Sequence, residues 1–339
     1  MNKKIYKVAA AHVSPVFLQL KPTVDKVCSL IDEAADNGAG LIVFPETFIP
    51  AFPIWTALQA PIYNHDMFLA LVENSIKIPG PEIDKIAAKA KSKQVFVSIG
   101  LNESTSQSTG CLWNTNIIIG DNGELLSHHR KIVPTFYEKL IWAAGDGAGL
   151  SVVETELGRL GALICGENTN PLARYSLIAQ GEQVHISTYP PVWPTHDPET
   201  GQNYDIKRAI EIRAGGHSFE GKVFNIVASG YMDPTTRNYL ASRDKEAGRI
   251  LDGSPRGISM VVGPDGAIIG DTLQDEEGLL YANIDLSKSI VPKQYHDISG
   301  GYNRFDIFNL QIDMTRRTPL DIKKDPRNLK GLSDFDNIE

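Results

Sequence analysis

Ile117-Ile118-Ile119-Gly120-Asp121-Asn122-Gly123-Glu124-Leu125-Leu126 lies residue for residue on Met260-Val261-Val262-Gly263-Pro264-Asp265-Gly266-Ala267-Ile268-Ile269. Each copy sets Asn-Gly or Asp-Gly between two apolar runs, a strong short-range signal for a β-hairpin. Two readings stand at this point. As a repeat, the likeness gives each half of the chain its own sheet, and two sheets packed face to face with helices outside make a single two-sheet domain. As coincidence, it reflects how common such turns are.

Upstream of the first hairpin, short apolar runs alternate with helix-length amphipathic ones. Lys7–Val13 predicts a strand, and Thr23–Asn37 a helix, because Val24, Val27, Leu30, Ile31 and Ala34 share one face at helical spacing. Leu41–Phe44 predicts a buried strand ended by Pro45. Residues 82–93 predict a second helix with Ile83, Ile86, Ala87 and Ala90 inward, followed by a strand over Val95–Ile99. This β-α-β-α-β order predicts an α/β layered fold. Met232–Pro255 is polar and charged with few apolar anchors, and counts with the tail after Thr315 as the least core-like sequence. The catalytic body is expected over 1–310. The tail, 311–339, mixes Lys, Arg, Asp and Pro with isolated Leu and Phe, and is expected to be disordered or docked on a neighbouring subunit.

The chain has 339 residues, 42% hydrophobic and 22% charged, enough to bury a large core and too apolar for disorder throughout. Lys and Arg number 33 against 41 Asp and Glu, a formal charge of −8. That balance argues against a broad basic face for nucleic acid or anionic lipid and leaves a small molecule as the expected partner. Cys28, Cys111 and Cys165 are too few for a disulfide framework, and their odd number leaves at least one thiol free, which fits a reducing cytoplasm. Met1–Lys7 has no apolar signal core, and no segment has the apolar length of a membrane span, so a soluble, unsecreted protein is expected.

Cys165 ends the apolar run Leu160–Ile164 and is followed by Gly166-Glu167-Asn168-Thr169-Asn170-Pro171 and a helix-like stretch to Gln180. A thiol at such a strand-to-helix turn resembles a nucleophile elbow, and the positive end of the helix is expected to favour its thiolate. A lone cysteine is otherwise most often an inert core residue, but Gly166 directly after it marks a sharp turn or a close approach to a ligand. Cys28 lies within the first helix and Cys111 in a polar loop. The eight histidines form no obvious metal-ligand set; His128 and His129, adjacent in a strand, should point to opposite faces. His185 and His217 stay open as papain-like partners for a thiol. Glu46 and Lys131 stand at the rims of apolar strands. Taken singly each reads as a solvated strand end, but charges at such rims are costly to bury unless paired, and so point to a site.

Three blocks carry a family resemblance: Phe44-Pro45-Glu46-Thr47-Phe48; His129–Thr135 with Glu138, Trp142 and Gly145-Asp146-Gly147; and Gly158–Asn168 with Cys165. In this order they resemble the nitrilase branch of the carbon-nitrogen hydrolases, from Val8 to about Leu310. The resemblance implies a four-layer α-β-β-α sandwich, with Glu46 as general base, Lys131 as the cation facing developing negative charge, Cys165 as nucleophile, and Glu138 orienting Lys131 and substrate. It implies no metal and no cofactor. Pro134-Thr135 with Glu138 and Trp142 is similar to the nitrilase form of this loop, which favours nitriles over amides. The sequence departs from the family pattern at Gly166, where nitrilases commonly carry Trp. It departs again in Gly300-Gly301-Tyr302-Asn303-Arg304-Phe305-Asp306, where Gly301 and Phe305 replace the usual His and Pro.

From these roles follow the expected chemistry and surroundings. Lys131 and the Gly166 backbone N–H should stabilise the nitrile nitrogen while Cys165 forms a thioimidate and then a thioester, giving acid and ammonia, with amide where the thiol leaves first. Trp55, Tyr137, Asn168, Tyr189 and Trp193 are the candidate pocket residues, in walls that suit an aromatic or arylalkyl nitrile. An amidase or carbamoylase acting through the same residues is one alternative, and a catalytically silent binding or scaffold protein is another. Homodimers or larger spirals are implied by the resemblance, through a helix at about 170–180 that carries Leu172, Tyr175, Ser176 and Ala179 at helical spacing.

Overall fold

The computed structural model describes residues 5–318. Its first half runs β1 (Ile5–His12), α1 (Leu20–Asp36), β2 (Ala39–Val43), α2 (His65–Glu73), β3 (Ile76–Lys77), α3 (Pro81–Lys93), β4 (Phe96–Ser104), β5 (Leu112–Ile119) and β6 (Leu125–Arg130). The second runs β7 (Val153–Thr155), β8 (Gly158–Ile164), α4 (Pro171–Ala179), β9 (Val184–Tyr189), α5 (Ile206–Gly221), β10 (Phe224–Ser229), α6 (Pro234–Arg243), α7 (Lys245–Gly253), β11 (Met260–Val262), β12 (Gly278–Asp285) and α8 (Ile290–His296).

The strands form two sheets, ordered β12-β1-β2-β4-β5-β6 (with β3 beside β4) and β11-β10-β9-β8-β7. In the first, β1, β2 and β4 are parallel and β5 and β6 antiparallel; in the second, β8, β9 and β10 are parallel with antiparallel edges. The run β1-β2-β4-β5 thus has the same connectivity as β8-β9-β10-β11. Period-2 alternation explains the layering. Ala9 and Ala11 of β1 pack with Val24, Val27 and Ile31 of α1 and Ile83, Ile86 and Ala90 of α3, while Val8 and Ala10 meet Ala162, Ile186 and Ile226 of the second sheet. Ile206, Ile210 and Ala214 of α5 and Leu177 of α4 cover the far side of that sheet. The result is the expected α-β-β-α sandwich. Each fully buried aliphatic side chain contributes about 1.5–3 kcal/mol to holding its layers together.

The hairpin likeness is a structural repeat. Gly120 N–H donates to Glu124 O at 2.8 Å and Gly123 N–H to Gly120 O at 2.9 Å; Gly263 N–H donates to Ala267 O at 2.8 Å and Gly266 N–H to Gly263 O at 2.9 Å. Gly123 and Gly266 sit at φ +85° and +82°, the left-handed region glycine takes without strain. Only one arm differs: beyond the second turn, Ile268 makes an isolated bridge to Val262 where the first hairpin has β6.

Met232–Pro255 departs from expectation. It folds into α6 and α7, capped by the Asp233 and Asp244 carboxylates, with Leu240, Ala247 and Leu251 buried against Trp55 and Trp142. With Met232 in the same cluster, these few anchors were enough because they meet a large aromatic cluster. Arg316 donates to His128 O at 2.8 Å, and Arg317 N–H to Asp146 Oδ2 at 2.9 Å, so residues 311–318 rest on the chain's own surface; the remainder of the expected tail lies outside the described residues. Among the described residues no helix is long and apolar enough to cross a membrane.

Candidate active site

Glu46 follows β2 on a turn that presses against β4. A Cβ on Gly100 of β4 would stand 2.4 Å from Pro45 O and 2.9 Å from Glu46 Cα, so the approach requires glycine there. Lys131 follows β6, its N–H donating to Asn114 O at 2.7 Å. The chain closes over Lys131 at Gly145, whose Cβ would stand 2.7 Å from Lys131 O. Glu138 lies in a 3-10 turn over Phe136–Leu140, where its Oε2 accepts the Thr135 N–H at 2.7 Å, one half of a capping box. Cys165 opens a second 3-10 turn, over Cys165–Thr169, at φ +49°. A non-glycine residue costs about 1–3 kcal/mol in such a conformation, and this strain sits at the elbow the sequence predicted.

These side chains converge in the interior. Lys131 Nζ donates to Glu46 Oε1 and to Glu138 Oε2, both at 2.7 Å, and all three are buried. Asn114 Nδ2 donates to the same Glu46 oxygen at 2.7 Å. Cys165 Sγ lies with carboxylate oxygens of Glu46 and Glu138 inside a 4.8 Å span. Glu46 Oε2 and Glu138 Oε1 are buried without a partner.

Burial pushes the Glu46 carboxyl up to about 7, against the pull of the Lys131 ammonium. Burial alone would drive Lys131 towards its neutral form, but Glu138 and Glu46 hold it protonated. Burial, and then the Glu46 carboxylate, push the Cys165 thiol well above the ordinary range. This corrects the expected thiolate. The helix α4 starts only at Pro171, and desolvation with two flanking carboxylates outweighs its positive end. At neutral pH the site therefore pairs a thiol with a carboxylate poised to take its proton.

The predicted pocket residues separate. Tyr137 and Trp193 have ring centroids 5.5 Å apart, with Phe136 and Tyr204 packed edge-on to Trp193 at 6.3 and 5.4 Å. Tyr189 is fully buried in one cluster with Cys165. Gly166 lines a cavity with Thr135, Phe136 and Lys139. Trp55 is core, packed edge-on to Phe17 at 6.0 Å, and its neighbour Ile54 lines the cavity that reaches Glu46. Asn168 is not a wall residue of these cavities. Its Nδ2 donates to Leu163 O and Cys165 O at 3.2 and 3.1 Å, bracing the elbow from behind. His185 lies behind Asn168 at 2.9 Å, and His217 beyond it on Glu182, so neither stands as a base beside the thiol.

Glu167 was not foreseen. Its Oε1 accepts the Ile132 N–H at 2.6 Å and its Oε2 the Ile164 N–H at 2.8 Å, clamping the residue after Lys131 to the residue before Cys165. His129 completes the clamp at 2.9 Å from Oε2, while His128 turns the other way to Glu103 at 2.8 Å, as their adjacency in a strand predicts. Burial opposes ionisation of Glu167, but His129 and the two backbone N–H groups outweigh it and lower its pKa.

The geometry is matched by sequence comparison. The profile of the carbon-nitrogen hydrolase family covers residues 7–291. The chain belongs to that family, in its nitrilase branch. The hydrolase is 35% identical to a nitrilase of Bacillus sp. (strain OxB-1), over 94% of this chain and 91% of that protein. It is 32% identical to an arylacetonitrilase of Hypocrea virens (92% of this chain, 93% of that protein). An aliphatic nitrilase of Rhodococcus rhodochrous is also 32% identical (93% and 84%). A carbon-nitrogen hydrolase from Helicobacter pylori shares the fold at TM-score 0.66 and 21% identity, over 86% of this chain and 92% of that one.

Proposed function

We propose that the enzyme hydrolyses organic nitriles to carboxylic acid and ammonia through Cys165. The observation that carries this reading is the buried set in which Lys131 joins Glu46 and Glu138 beside the Cys165 thiol. The unpartnered Glu46 Oε2 takes the thiol proton as sulfur attacks the nitrile carbon. Negative charge then grows on the nitrile nitrogen, where the Lys131 ammonium and the Gly166 N–H receive it; the leading N–H groups of a 3-10 turn have no acceptor within the turn. Water adds to the thioimidate, ammonia leaves with a proton from the site, and a second water cleaves the thioester to acid and free thiol. If the tetrahedral carbon expels sulfur before ammonia, the product is the amide.

The ring cluster of Tyr137, Trp193 and Tyr204, in which Trp193 and Tyr204 pack against the buried cluster that holds Cys165, supports an aromatic or arylalkyl substituent on the nitrile. The relatives named above act on both arylaceto- and aliphatic nitriles by name, so a substrate panel decides. Acid, amide and ammonia are assayed from arylacetonitriles, benzonitriles, aliphatic nitriles and the matching amides. Faster turnover of amides would make the enzyme an amidase, and an active Cys165→Ala would end the mechanism.

Assembly into dimers or larger oligomers is part of the same reading. Leu172 of α4 and Ile212 and Phe219 of α5 are exposed, and the stretch Phe305–Phe308 adds further exposed apolar side chains. On α4 the sheet is covered by Ala173 and Leu177, leaving Leu172 and Ala179 facing outward, free for a second copy. The three free cysteines support a reducing, cytoplasmic setting.

A further inference from the structure

Behind the Cys165 turn lies a buried polar chain that the chemistry above does not use. Glu182 Oε1 stands 2.7 Å from His185 Nδ1, and Glu182 Oε2 stands 2.7 Å from His217 Nε2. His185 Nε2 stands 2.9 Å from Asn168 Oδ1, and Asn168 Nδ2 reaches Cys165 O at 3.1 Å and Leu163 O at 3.2 Å. All four side chains are buried. A Cβ on Gly161 of β8 would stand 2.1 Å from Glu182 Oε1, so the strand carries glycine where the carboxylate enters. Glu182, His185 and His217 have the composition of a metal site, but their 2.7 Å nitrogen–oxygen spacings are those of hydrogen bonds. Ligands on one tetrahedral zinc ion stand about 3.3 Å apart at bond lengths of roughly 2.0–2.1 Å.

Donor and acceptor bookkeeping fixes the proton positions. The carbonyls of Leu163 and Cys165 only accept, so Asn168 must present its NH2 to them and its oxygen to His185 and to Ser187 Oγ, 3.1 Å away. His185 Nε2 must therefore donate. Burial opposes ionisation of Glu182, but His185 and His217 draw its carboxyl down to about 2, so it accepts from both rings. His185 thus donates from both nitrogens and is an imidazolium. His217 donates from Nε2 and has no partner at Nδ1; burial, then the charge on His185, push it down to about 4 and keep it neutral. One carboxylate, one imidazolium and one neutral imidazole leave the buried cluster without net charge.

Cys165 O and Gly166 N–H belong to one trans peptide, in which they point in opposite directions. Holding the oxygen from behind therefore aims the N–H forward, and a hydrogen bond at the oxygen strengthens the N–H as a donor, by about 10–30% per bond along such a chain. We propose that Glu182, His185 and Asn168 are positioning residues that orient and polarise the Cys165–Gly166 peptide, so that a buried positive charge strengthens the N–H receiving charge from the substrate. This inference rests on the reading of Gly166 N–H as that donor.

The test is His185→Gln, which keeps a neutral donor towards Asn168 and removes the charge, compared with His217→Gln, which occupies the same cluster outside the chain to the peptide. Since loss of a whole oxyanion donor costs roughly 10²–10³ in kcat, weakening one predicts about a tenfold fall in kcat for His185→Gln with KM unchanged. His217→Gln should stay within about twofold. In the wild type, 15N-histidine NMR at pH 7.5 should show one buried histidine protonated on both nitrogens, a signal lost in His185→Gln. A His185→Gln enzyme with wild-type kcat, kcat falling equally in both variants, or a neutral His185 in the NMR spectrum overturns the proposal. The NMR outcome stands even if a variant fails to fold. An inactive Cys165→Ala beside an unaffected His185→Gln refutes the relay alone; an active Cys165→Ala refutes the nitrile mechanism with it.

Discussion

Glu46→Gln should weaken catalysis and strengthen the fold, and the two effects have different pH dependences. Glu46 is buried, and its carboxyl titrates at about 7 in the folded chain against an ordinary 4.5. A carboxyl raised on folding binds its proton more tightly in the native state, so stability falls as pH rises from 4.5 through 7 and the full cost is present above 7. The difference of about 2.5 units corresponds to about 3 kcal/mol at pH 8 and under about 1 kcal/mol at pH 5. Glutamine keeps an oxygen for Lys131 and Asn114 and carries no charge to desolvate. That difference already includes the attraction of Lys131, which Glu138 still partners at 2.7 Å in the variant. The urea midpoint of Glu46→Gln should therefore exceed that of the wild type at pH 8 and converge with it at pH 5. Over the same range, kcat/KM of the wild type should rise through an apparent pKa near 7 as the base ionises. The variant should lose roughly 10²–10⁴ in rate, together with that acidic limb. A folded Glu46→Gln that is less stable than wild type at pH 8, or that keeps the limb, would refute the assignment of Glu46 as a desolvated general base.

Other substitutions probe the supports. A Cβ on Gly166 would stand 2.8 Å from Thr135 Oγ1, so Gly166→Ala should displace the cap that holds Glu138 and lower kcat roughly tenfold; adding Thr135→Ala, which removes that oxygen, should restore part of it in a double-mutant cycle. Glu167→Gln should cost about 3–5 kcal/mol in denaturant unfolding at pH 7, because it leaves His129 and one backbone N–H without a proper acceptor. The Glu167 carboxyl is lowered on folding, so this gap should narrow as pH falls below the ordinary carboxylate range towards its folded value. Leu172→Glu, on the exposed face of α4, should reduce the mass measured by light scattering without loss of fold; unchanged mass would place the assembly surface elsewhere.

Much of this was legible in the chain. Glycine at φ +85° and +82° is required by the turn itself, so Asn-Gly and Asp-Gly betrayed both hairpins. The stripe Val24, Val27, Ile31 and Ala34 was read correctly because α1 packs along one face only. The positions of Glu46, Lys131 and Cys165 at strand ends were visible, but their mutual contacts were not, since these join residues from 34 to 119 positions apart in sequence through register alone. Asn168 and Trp55 were assigned to the pocket by proximity to the motifs, and only packing shows that one braces the elbow and the other fills the core. The thiolate expectation failed because a sequence shows the helix and hides the desolvation. The helices α6 and α7 were missed because their apolar content is sparse, although Asp233-Pro234 as N-cap and first helical residue and Asp244 as the next cap were signals that could have found them.

The opening hairpin also decides the chemistry. β5 runs antiparallel to β4 and β6 antiparallel to β5, so two reversals bring the end of β6 to the rim where β2 ends. In that register Thr115 faces Arg130 and Gly100 faces Asn116. Asn114 therefore stands beside Lys131, and Gly100 beneath Glu46, which is why Asn114 can serve both. Side chains alternate along a strand, so a slip of one residue between β5 and β6 would turn Lys131 away from Glu46 and bring Arg130 or Ile132 into its place. What resists that slip is the turn Gly120–Glu124, where glycine at φ +85° and the Asn122 carboxamide, accepting from Glu124 N–H at 2.9 Å, close the loop at one length. An insertion of one residue at Asp121 should then abolish activity while leaving most of the second sheet's hydrogen-exchange protection intact. An active insertion variant would show that Lys131 is placed by its partners, and not by the strand that carries it.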